Sequence, residues 1–204
     1  MCHTLLGDAR LYEQLLRFDE DLAAQARAKG CPCGGRLHGA KYPRKPRGGP
    51  ANVTGYDYRF SFCCDREGCR RRVTPPSLRF LGRRVYLGAV VVLVSAMLRG
   101  VTSWRAAALW RMVGADRRTL ERWRRWWQEV FPATPLWRDQ RARFVPPVEE
   151  RGLVATLLER FAGSRRTQLM GLLRLLLPLT TSPWSVMVTF GPQRTLGEGR
   201  ERAR

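Results

Sequence analysis

Five cysteines between residues 31 and 69 constrain the fold of this chain more than any other feature. Cys31 and Cys33 form a tight turn with two glycines, and Cys63, Cys64 and Cys69 form a second turn about thirty residues later. The segment 31–76 is rich in glycine, proline and basic residues and has too few large apolar residues for an ordinary core. It therefore needs a cross-link, and the cysteines offer one.

Two such turns predict a structural zinc site, because Zn²⁺ is tetrahedral and favours thiolates. The predicted ligands are Cys31, Cys33, Cys64 and Cys69. Cys63 competes with Cys64, because adjacent residues of a strand point to opposite sides and a single one can face the metal. His38 is a replacement ligand in one interpretation and a solvated or phosphate-contacting residue in another. The alternative to zinc is a set of reduced, buried thiols. Four thiolates leave no open position for water, so a zinc ion here is structural.

The charge of the chain indicates a polyanionic partner. Its 37 Lys and Arg outnumber 17 Asp and Glu, which gives a net charge of +20. Such a field attracts polyanions, and nucleic acid is the leading class of partner. Lysine contributes 3 of these cations and arginine 34, a bias that GC-rich coding alone produces. Charge therefore predicts the class of partner and leaves the mechanism open.

A helix-turn-helix pattern occupies residues 106–125. Gly114 stands at the ninth place of this window, where the turn commonly needs glycine. Apolar residues fill the places that pack the two helices on each other and on a preceding helix at 85–98: Leu109, Val113, Ala115, Leu120 and Trp123. Asp116 is a good N-cap for the second helix. The alternative is a plain basic helical hairpin.

The second helix carries the predicted DNA contacts. The first turn of a recognition helix meets base edges in the major groove. The candidate residues on this helix are Arg117, Arg118, Thr119, Arg122, Arg124 and Arg125. An arginine can read guanine or neutralise a phosphate, and the sequence leaves that choice open. The tryptophans at 123, 126 and 127 follow helical spacing, which favours a core stripe over a base-stacking platform.

Two further basic segments are candidate DNA contacts. The loop 42–50 is extended and suits an arm along phosphates or in a narrow minor groove, with a solvated surface loop as the alternative. A basic run follows the last cysteine directly and could hold the cysteine module against the DNA backbone. The candidate residues in these segments are Arg44, Lys45, Arg47, Arg70, Arg71 and Arg72.

Periodicity and breakers divide the chain into five segments. Residues 1–30 predict an amphipathic helix with Leu11, Leu15, Phe18 and Leu22 on one face. A zinc-ribbon-like module (31–76), a helix-turn-helix domain (77–131), a proline-rich connector with a helical C-terminal region (132–190) and a disordered tail (191–204) follow. The predicted helices lie at 85–98, 103–113, 117–131, 153–161 and 169–177. The predicted fold class is mainly α, with a small, β-poor zinc-ribbon module, a three-helix bundle and C-terminal helices.

No membrane partner is expected. The longest apolar run, 85–98, covers 14 residues, and a membrane-spanning helix needs about 20. The N-terminus lacks the basic start, apolar stretch and small-residue cleavage site of a secretory signal. We therefore expect a cytoplasmic, nucleoid-associated protein with reduced cysteines.

Three motifs, CPCGG, FCCDREGCRRRVTPPS and GADRRTLERWRRWW, resemble the zinc-ribbon plus helix-turn-helix proteins of bacterial insertion sequences and transposases. The resemblance covers about residues 31–131 and implies a DNA-binding module that recognises element ends or regulatory DNA. The family usually has C-x2-C pairs, whereas this chain has C-x-C and C-x4-C. Full transposases add a nuclease domain with three carboxylates, which residues 145–204 do not predict. We therefore expect no enzymatic activity.

The sequence as a whole predicts a sequence-specific DNA-binding protein of a mobile element, either a transposase accessory or a transcriptional regulator. The alternative is a helical assembly subunit that docks a separate transposase or integrase, or a second copy of itself. Residues 169–177 favour that alternative, because they are apolar almost all round and need a cover. An active recombinase is a third hypothesis. Structured RNA is a further candidate ligand, although a recognition helix fits the B-form major groove better.

Overall fold

The computed structural model describes residues 2–44, 46, 48, 53–81, 87–97 and 102–181, with the backbone alone at 2, 3 and 105. Helices predominate over short strands in these ranges, which confirms the predicted mainly α class. Three predictions lie outside the described residues: the DNA contacts of Lys45 and Arg47, and the tail at 191–204.

The N-terminal segment forms two helices, α1 (Cys2–Leu6) and α2 (Ala9–Lys29). Asp8 caps α2 by accepting a 3.0 Å hydrogen bond from the Arg10 N–H. The buried face of α2 differs from the predicted one, since Phe18 and Leu22 are half-buried. The buried residues are Leu11, Tyr12, Leu15, Asp19 and Ala23. An acidic residue, Asp19, thus lies on the buried face, which the spacing of the apolar residues did not indicate.

The cysteine-containing segment forms five short strands: β1 (Leu37–Gly39), β2 (Tyr42–Pro43), β3 (Tyr58–Arg59), β4 (Phe62–Cys64) and β5 (Arg72–Val73). β4 lies between β1 and β5 in an antiparallel sheet, with Leu37 opposite Cys64 and Phe62 opposite Val73. β2 and β3 form a separate antiparallel pair. This pairing brings the two cysteine turns, one before β1 and one after β4, to the same end of the sheet.

The strands and the remaining helices belong to two separate cores. A large core gathers apolar side chains from α1, α2 and the helices after residue 87. The smaller core contains few apolar residues, and two of its five buried members are cysteines: Ala23, Cys31, Leu37, Phe62 and Cys64. A core this small gives little hydrophobic stabilisation, so the module depends on whatever its cysteines hold.

Helices after residue 87 build the large core. They are α3 (Gly88–Met97), α4 (Ser103–Val113), α5 (Arg117–Arg125), a π-helix (Trp126–Val130), α6 (Phe131–Ala133), α7 (Pro135–Gln140), a 3₁₀ turn (Arg141–Arg143), α8 (Leu153–Glu159), α9 (Arg165–Leu175) and a second 3₁₀ turn (Leu177–Thr180). α3 is buried from Gly88 to Ser95 and packs against α1, α5, α8 and α9. It is the central helix of the described fold.

Three helical segments differ from the sequence prediction. The helix predicted at 117–131 changes to a π-helix at Trp126, where Trp126, Trp127 and Phe131 make edge-to-face and tilted ring contacts with centroids 4.8–5.4 Å apart. The predicted connector contains α7, which Thr134 caps by accepting from the Trp137 N–H at 3.2 Å. α9 begins at Arg165, earlier than predicted, because Ser164 accepts from the Thr167 N–H at 3.2 Å.

A buried ion pair joins α2 to the segment before α3. The Arg79 Nε donates to the Asp19 carboxylate at 2.9 Å, and both side chains are almost completely buried. The Asp19 carboxylate also accepts from the Leu78 N–H at 2.6 Å and from the Ser77 hydroxyl. This network anchors the strand module to the helical core.

Among the described helices, none is both long and apolar enough to cross a membrane.

Candidate metal centre and basic helix

The four predicted ligand residues converge at one end of the β1-β4-β5 sheet. The sulfurs of Cys31, Cys33, Cys64 and Cys69 all lie within 4.8 Å of one another. The Cys31 and Cys69 sulfurs are 3.8 Å apart, and the Cys33 and Cys64 sulfurs are 3.5 Å apart. These distances are too long for disulfide bonds, which measure about 2.05 Å, and all four thiols are free. The cluster can hold a metal ion.

Glycines shape the turns that carry these sulfurs. Gly34 and Gly68 both have φ near +83°, a conformation that side chains other than glycine rarely adopt. Gly35 is required for a different reason, because a Cβ at this position would lie 2.5 Å from the Cys64 Sγ. The Arg66 N–H donates to the Cys64 sulfur at 3.4 Å. The backbone therefore approaches the sulfurs closely and points N–H groups at them, as thiolate-binding turns do.

The thiols of the cluster differ in acidity. A hydrogen bond from the Gly35 N–H, together with the neighbouring thiols, lowers the pKa of Cys33 to about 6. The Arg66 N–H acts in the same direction on Cys64, but desolvation and the surrounding thiols raise the pKa of Cys64 to about 12. The Cys33 thiolate therefore forms readily, whereas the raised pKa values of Cys31 and Cys64 favour their protonated forms. A central dication favours the thiolate form of every ligand and releases those protons.

Cys63 and His38 lie apart from the four clustered sulfurs. The Cys63 thiol donates to the carbonyls of Cys64 and Arg70, on the other side of β4. This orientation follows from the alternation of side chains along a strand. The His38 Nε2 lies 3.4 Å from the Asp65 carboxylate, and the imidazole is 64% exposed. Asp65 also accepts from the Arg36 N–H at 2.8 Å, which fixes the second cysteine turn against β1.

α4 and α5 are joined by a three-residue turn. Gly114 has φ +63°, and its N–H donates to the Trp110 carbonyl at 2.8 Å. Ala115 is completely buried in this turn. Asp116 caps α5 by accepting from the Thr119 N–H at 2.6 Å. That hydrogen bond lowers the pKa of Asp116, so the cap stays ionised well into the acidic range. The turn and the cap are therefore as the sequence predicts.

α5 and the π-helix after it have one buried and one charged face. The buried residues are Thr119, Leu120, Trp123, Trp126 and Trp127. The opposite, exposed face carries Arg117, Arg118, Glu121, Arg124 and Arg125. Arg117 pairs with Glu121 at 2.9 Å, one helical turn away. The tryptophan stripe is core, as predicted, and the exposed face is basic.

Two predicted contacts on α5 differ from the rest. Thr119 is 4% exposed, and its hydroxyl accepts from Arg122 at 2.8 Å. The Thr119 side chain, a predicted DNA contact, therefore belongs to the buried face of α5. Arg122 is half-buried beside it, whereas the other four arginines of α5 reach solvent.

The other basic candidates are dispersed. Arg44 stacks on the Tyr42 ring at 4.5 Å and donates to its hydroxyl at 2.9 Å. The run 70–72 is exposed beside the cysteine cluster. Gly48 lies beside the end of α4, since a Cβ there would lie 2.8 Å from the Val113 Cβ. This contact places Gly48 next to the turn between α4 and α5.

Two apolar surfaces bear on the choice of partner. In α9 the residues Leu169, Met170, Leu172 and Leu173 are buried in the core of the chain itself. The apolar residues of α9 are therefore covered by other elements of the same chain. α4, in contrast, leaves Trp104 75% and Trp110 52% exposed.

No family model, curated protein or solved structure matches this chain.

Proposed function

We propose that the chain is a double-stranded DNA-binding protein whose cysteine cluster holds a structural zinc ion and whose α4–α5 pair acts as a helix-turn-helix. The observation that carries the proposal is α5 itself. Four arginines cover its exposed face, and tryptophan and leucine anchor the opposite face in the core. A rigidly held, basic helix is what the major groove of DNA accepts.

The sulfur distances support zinc as the metal. Four thiolates placed about 2.3 Å from a tetrahedral zinc ion stand about 3.8 Å apart. Two of the sulfur pairs, at 3.5 and 3.8 Å, are close to that spacing, and all of the pairs lie within 4.8 Å. Zinc also suits the chemistry of four thiolates, whereas magnesium and calcium require oxygen ligands. The ion would substitute for the hydrophobic core that the strand module lacks.

The arrangement of helices supports a role for α4 and α5 together. In a helix-turn-helix, the first helix crosses the DNA backbone while the second enters the groove. The exposed indoles of Trp104 and Trp110 lie on α4, which is the first helix of the pair. An indole N–H is a hydrogen-bond donor, and phosphate oxygens accept such bonds. These tryptophans would therefore help to position α5 without reading sequence.

The contact of Gly48 with Val113 supports a composite interface. It brings Gly48 of the cysteine module to the turn that precedes α5. Zinc, by fixing the module, would fix Gly48 beside the proposed recognition helix. The exposed run 70–72 would add phosphate contacts from the same module. We extend the proposal to a mobile-element role, as a transposase accessory or regulator, on the sequence resemblance alone.

A salt-dependent binding titration tests the proposed function. Fluorescence anisotropy on a labelled duplex of mixed sequence should show affinity falling by roughly 10³–10⁵ between about 50 and 200 mM salt, if about 6–10 phosphates are neutralised. The variant Arg118→Gln should reduce the slope of log K against log salt by about 1. Arg138→Gln on α7 removes the same charge from an exposed helix elsewhere and should leave the slope unchanged.

Two results would contradict the proposal. A slope near zero for the wild-type chain would show that the chain neutralises no DNA phosphates. An equal reduction of the salt slope in Arg118→Gln and Arg138→Gln would show that the total charge of the chain, and no particular face, drives binding. A duplex RNA competitor completes the test, because tighter binding to A-form RNA would assign the basic face to a different nucleic acid.

A further inference from the structure

We propose that the cysteine cluster is a peroxide-sensitive site, which oxidation converts into two disulfide bonds with release of the metal. Its four sulfurs form two close pairs. The Cys33 and Cys64 sulfurs are 3.5 Å apart, and the Cys31 and Cys69 sulfurs are 3.8 Å apart. Each pair would shorten by about 1.5–1.8 Å to reach the disulfide length of about 2.05 Å. These pairs therefore define which disulfides the cluster forms.

Each pair combines a reachable sulfur with a buried one. Cys33 and Cys69 are half-buried, so a small oxidant can approach them from solvent. Their partners are Cys64, which is 1% exposed, and Cys31, which is 5% exposed. A reachable thiol next to a second, resolving thiol is the arrangement of thiols that sense oxidants. The buried member of each pair is shielded from the oxidant and available to its neighbour.

The oxidant is a peroxide, and each disulfide forms in two steps. The sulfur of the half-buried thiolate attacks one peroxide oxygen, the O–O bond breaks, and a sulfenic acid and a hydroxide result. The buried thiolate then attacks the sulfenic sulfur, the S–O bond breaks, and a second hydroxide leaves. The two thiolates lose two electrons, and one hydrogen peroxide is reduced to two waters with two protons from solvent.

Both pairs join the first cysteine turn to the second. Cys31 and Cys33 precede β1, Cys64 ends β4, and Cys69 follows it. The paired residues are 31 and 38 positions apart in sequence, so these disulfides close long loops and restrict the unfolded chain. A bond between Cys31 and Cys33 would leave the two turns unconnected. The oxidised module therefore keeps a cross-link at the place where its small core lacks stabilisation.

Metal release follows from the loss of the thiolates. The thiolate is the form of cysteine that binds a metal, and disulfide formation consumes all four. This consequence rests on the proposed function, because it assumes zinc in the cluster, whereas the disulfide pairing does not. Cys63 takes no part, because its thiol lies on the other side of β4 and donates to the Arg70 carbonyl.

Hydrogen peroxide treatment of the full, zinc-loaded chain without DNA tests the site. A zinc-sensitive dye should report one zinc ion released per chain as about two peroxide molecules are consumed. Trypsin digestion without reductant then leaves the first cysteine turn in peptide 30–36, Cys64 in 60–66 and Cys69 in 67–70. Mass spectrometry should find these three peptides linked in one species, and fragmentation within peptide 30–36 assigns each bond. Dithiothreitol with added zinc should reverse both changes.

Two controls separate this proposal from its neighbours. Cys63→Ser should release zinc and form the same linked species as the wild type, because Cys63 lies outside the cluster. If the purified, reduced chain holds no zinc, the zinc proposal fails, and the same peroxide treatment still tests the pairing through the linked peptides alone. The absence of DNA from both assays makes the outcome independent of DNA binding.

Four outcomes would overturn the proposal. The first is zinc retention in excess peroxide with every thiol still reduced. The second is a bond between Cys31 and Cys33, which leaves peptide 30–36 unlinked. The third is a linked species in which Cys31 pairs with Cys64, or one that Cys63→Ser abolishes. The fourth is a sulfinic or sulfonic acid on Cys33 without any linked peptide, which would show that no thiol resolves the sulfenic acid.

Discussion

Removal of the Arg79 guanidinium should destabilise the fold more than any surface change. Arg79 is completely buried and donates to the Asp19 carboxylate at 2.9 Å. Its other nitrogens donate to the carbonyls of Gly55 at 3.1 Å, Tyr56 at 2.6 Å and Tyr58 at 2.8 Å. The substitution Arg79→Met leaves three backbone carbonyls without their donor and the buried Asp19 carboxylate without its counter-charge. Breaking a buried ion pair in this way costs about 3–5 kcal/mol of unfolding free energy.

Urea denaturation followed by far-ultraviolet circular dichroism measures the effect. With an m-value of about 2 kcal/mol/M, the midpoint of Arg79→Met should fall by about 1.5–2.5 M. The double variant with Asp19→Leu should regain part of the loss, because it removes the unpaired charge. The matched control is Glu121→Gln in the exposed pair with Arg117, which should cost less than about 1 kcal/mol. A midpoint shift in Arg79→Met no larger than in that control, or no recovery in the double variant, would refute the reasoning.

Two further predictions concern the turns of the candidate site. Gly35→Ala forces a Cβ to 2.5 Å from the Cys64 Sγ and should lower zinc affinity in a chelator competition, whereas Gly39→Ala, with open space around it, should not. Asp116→Ala removes the cap of α5 and should cost about 1 kcal/mol in thermal or urea unfolding at neutral pH. Because the folded pKa of Asp116 is lowered, this contribution is complete above the unfolded pKa of about 3.9 and is lost as the pH falls through the lower folded value. The difference from the wild type should therefore shrink in acid, and a difference that stays constant with pH would contradict the cap.

Local patterns predicted the local parts of the site. The spacing of cysteines and glycines anticipated which sulfurs converge, because each turn is determined by four or five adjacent residues. The alternation of side chains in β4 explains why Cys64 joins the cluster and Cys63 does not. Asp116 and Gly114 likewise act within a few residues of their positions. Such features follow from backbone geometry and capping, which a sequence displays directly.

Long-range features escaped the prediction for a physical reason. Asp19 and Arg79 are 60 residues apart, and no periodicity indicates that a carboxylate on the buried face of α2 has a buried partner. The burial of Thr119 follows from how α5 rotates against α3, which the helix period alone leaves undetermined. The internal cover of α9 also depends on packing with α3 and α8. Each of these depends on tertiary contacts between elements and not on the residues of one element.

The measurement that tests the central claim most directly is native mass spectrometry of the full chain mixed with duplex DNA at low salt. One spectrum then reports both the metal and the nucleic acid. Cys64→Ser removes one of the clustered sulfurs, and Cys63→Ser removes the neighbouring thiol outside the cluster. We expect one zinc ion per chain in the DNA complex, retained in Cys63→Ser and lost in Cys64→Ser. A DNA complex without zinc, or a zinc-loaded chain that binds no DNA, would contradict the account.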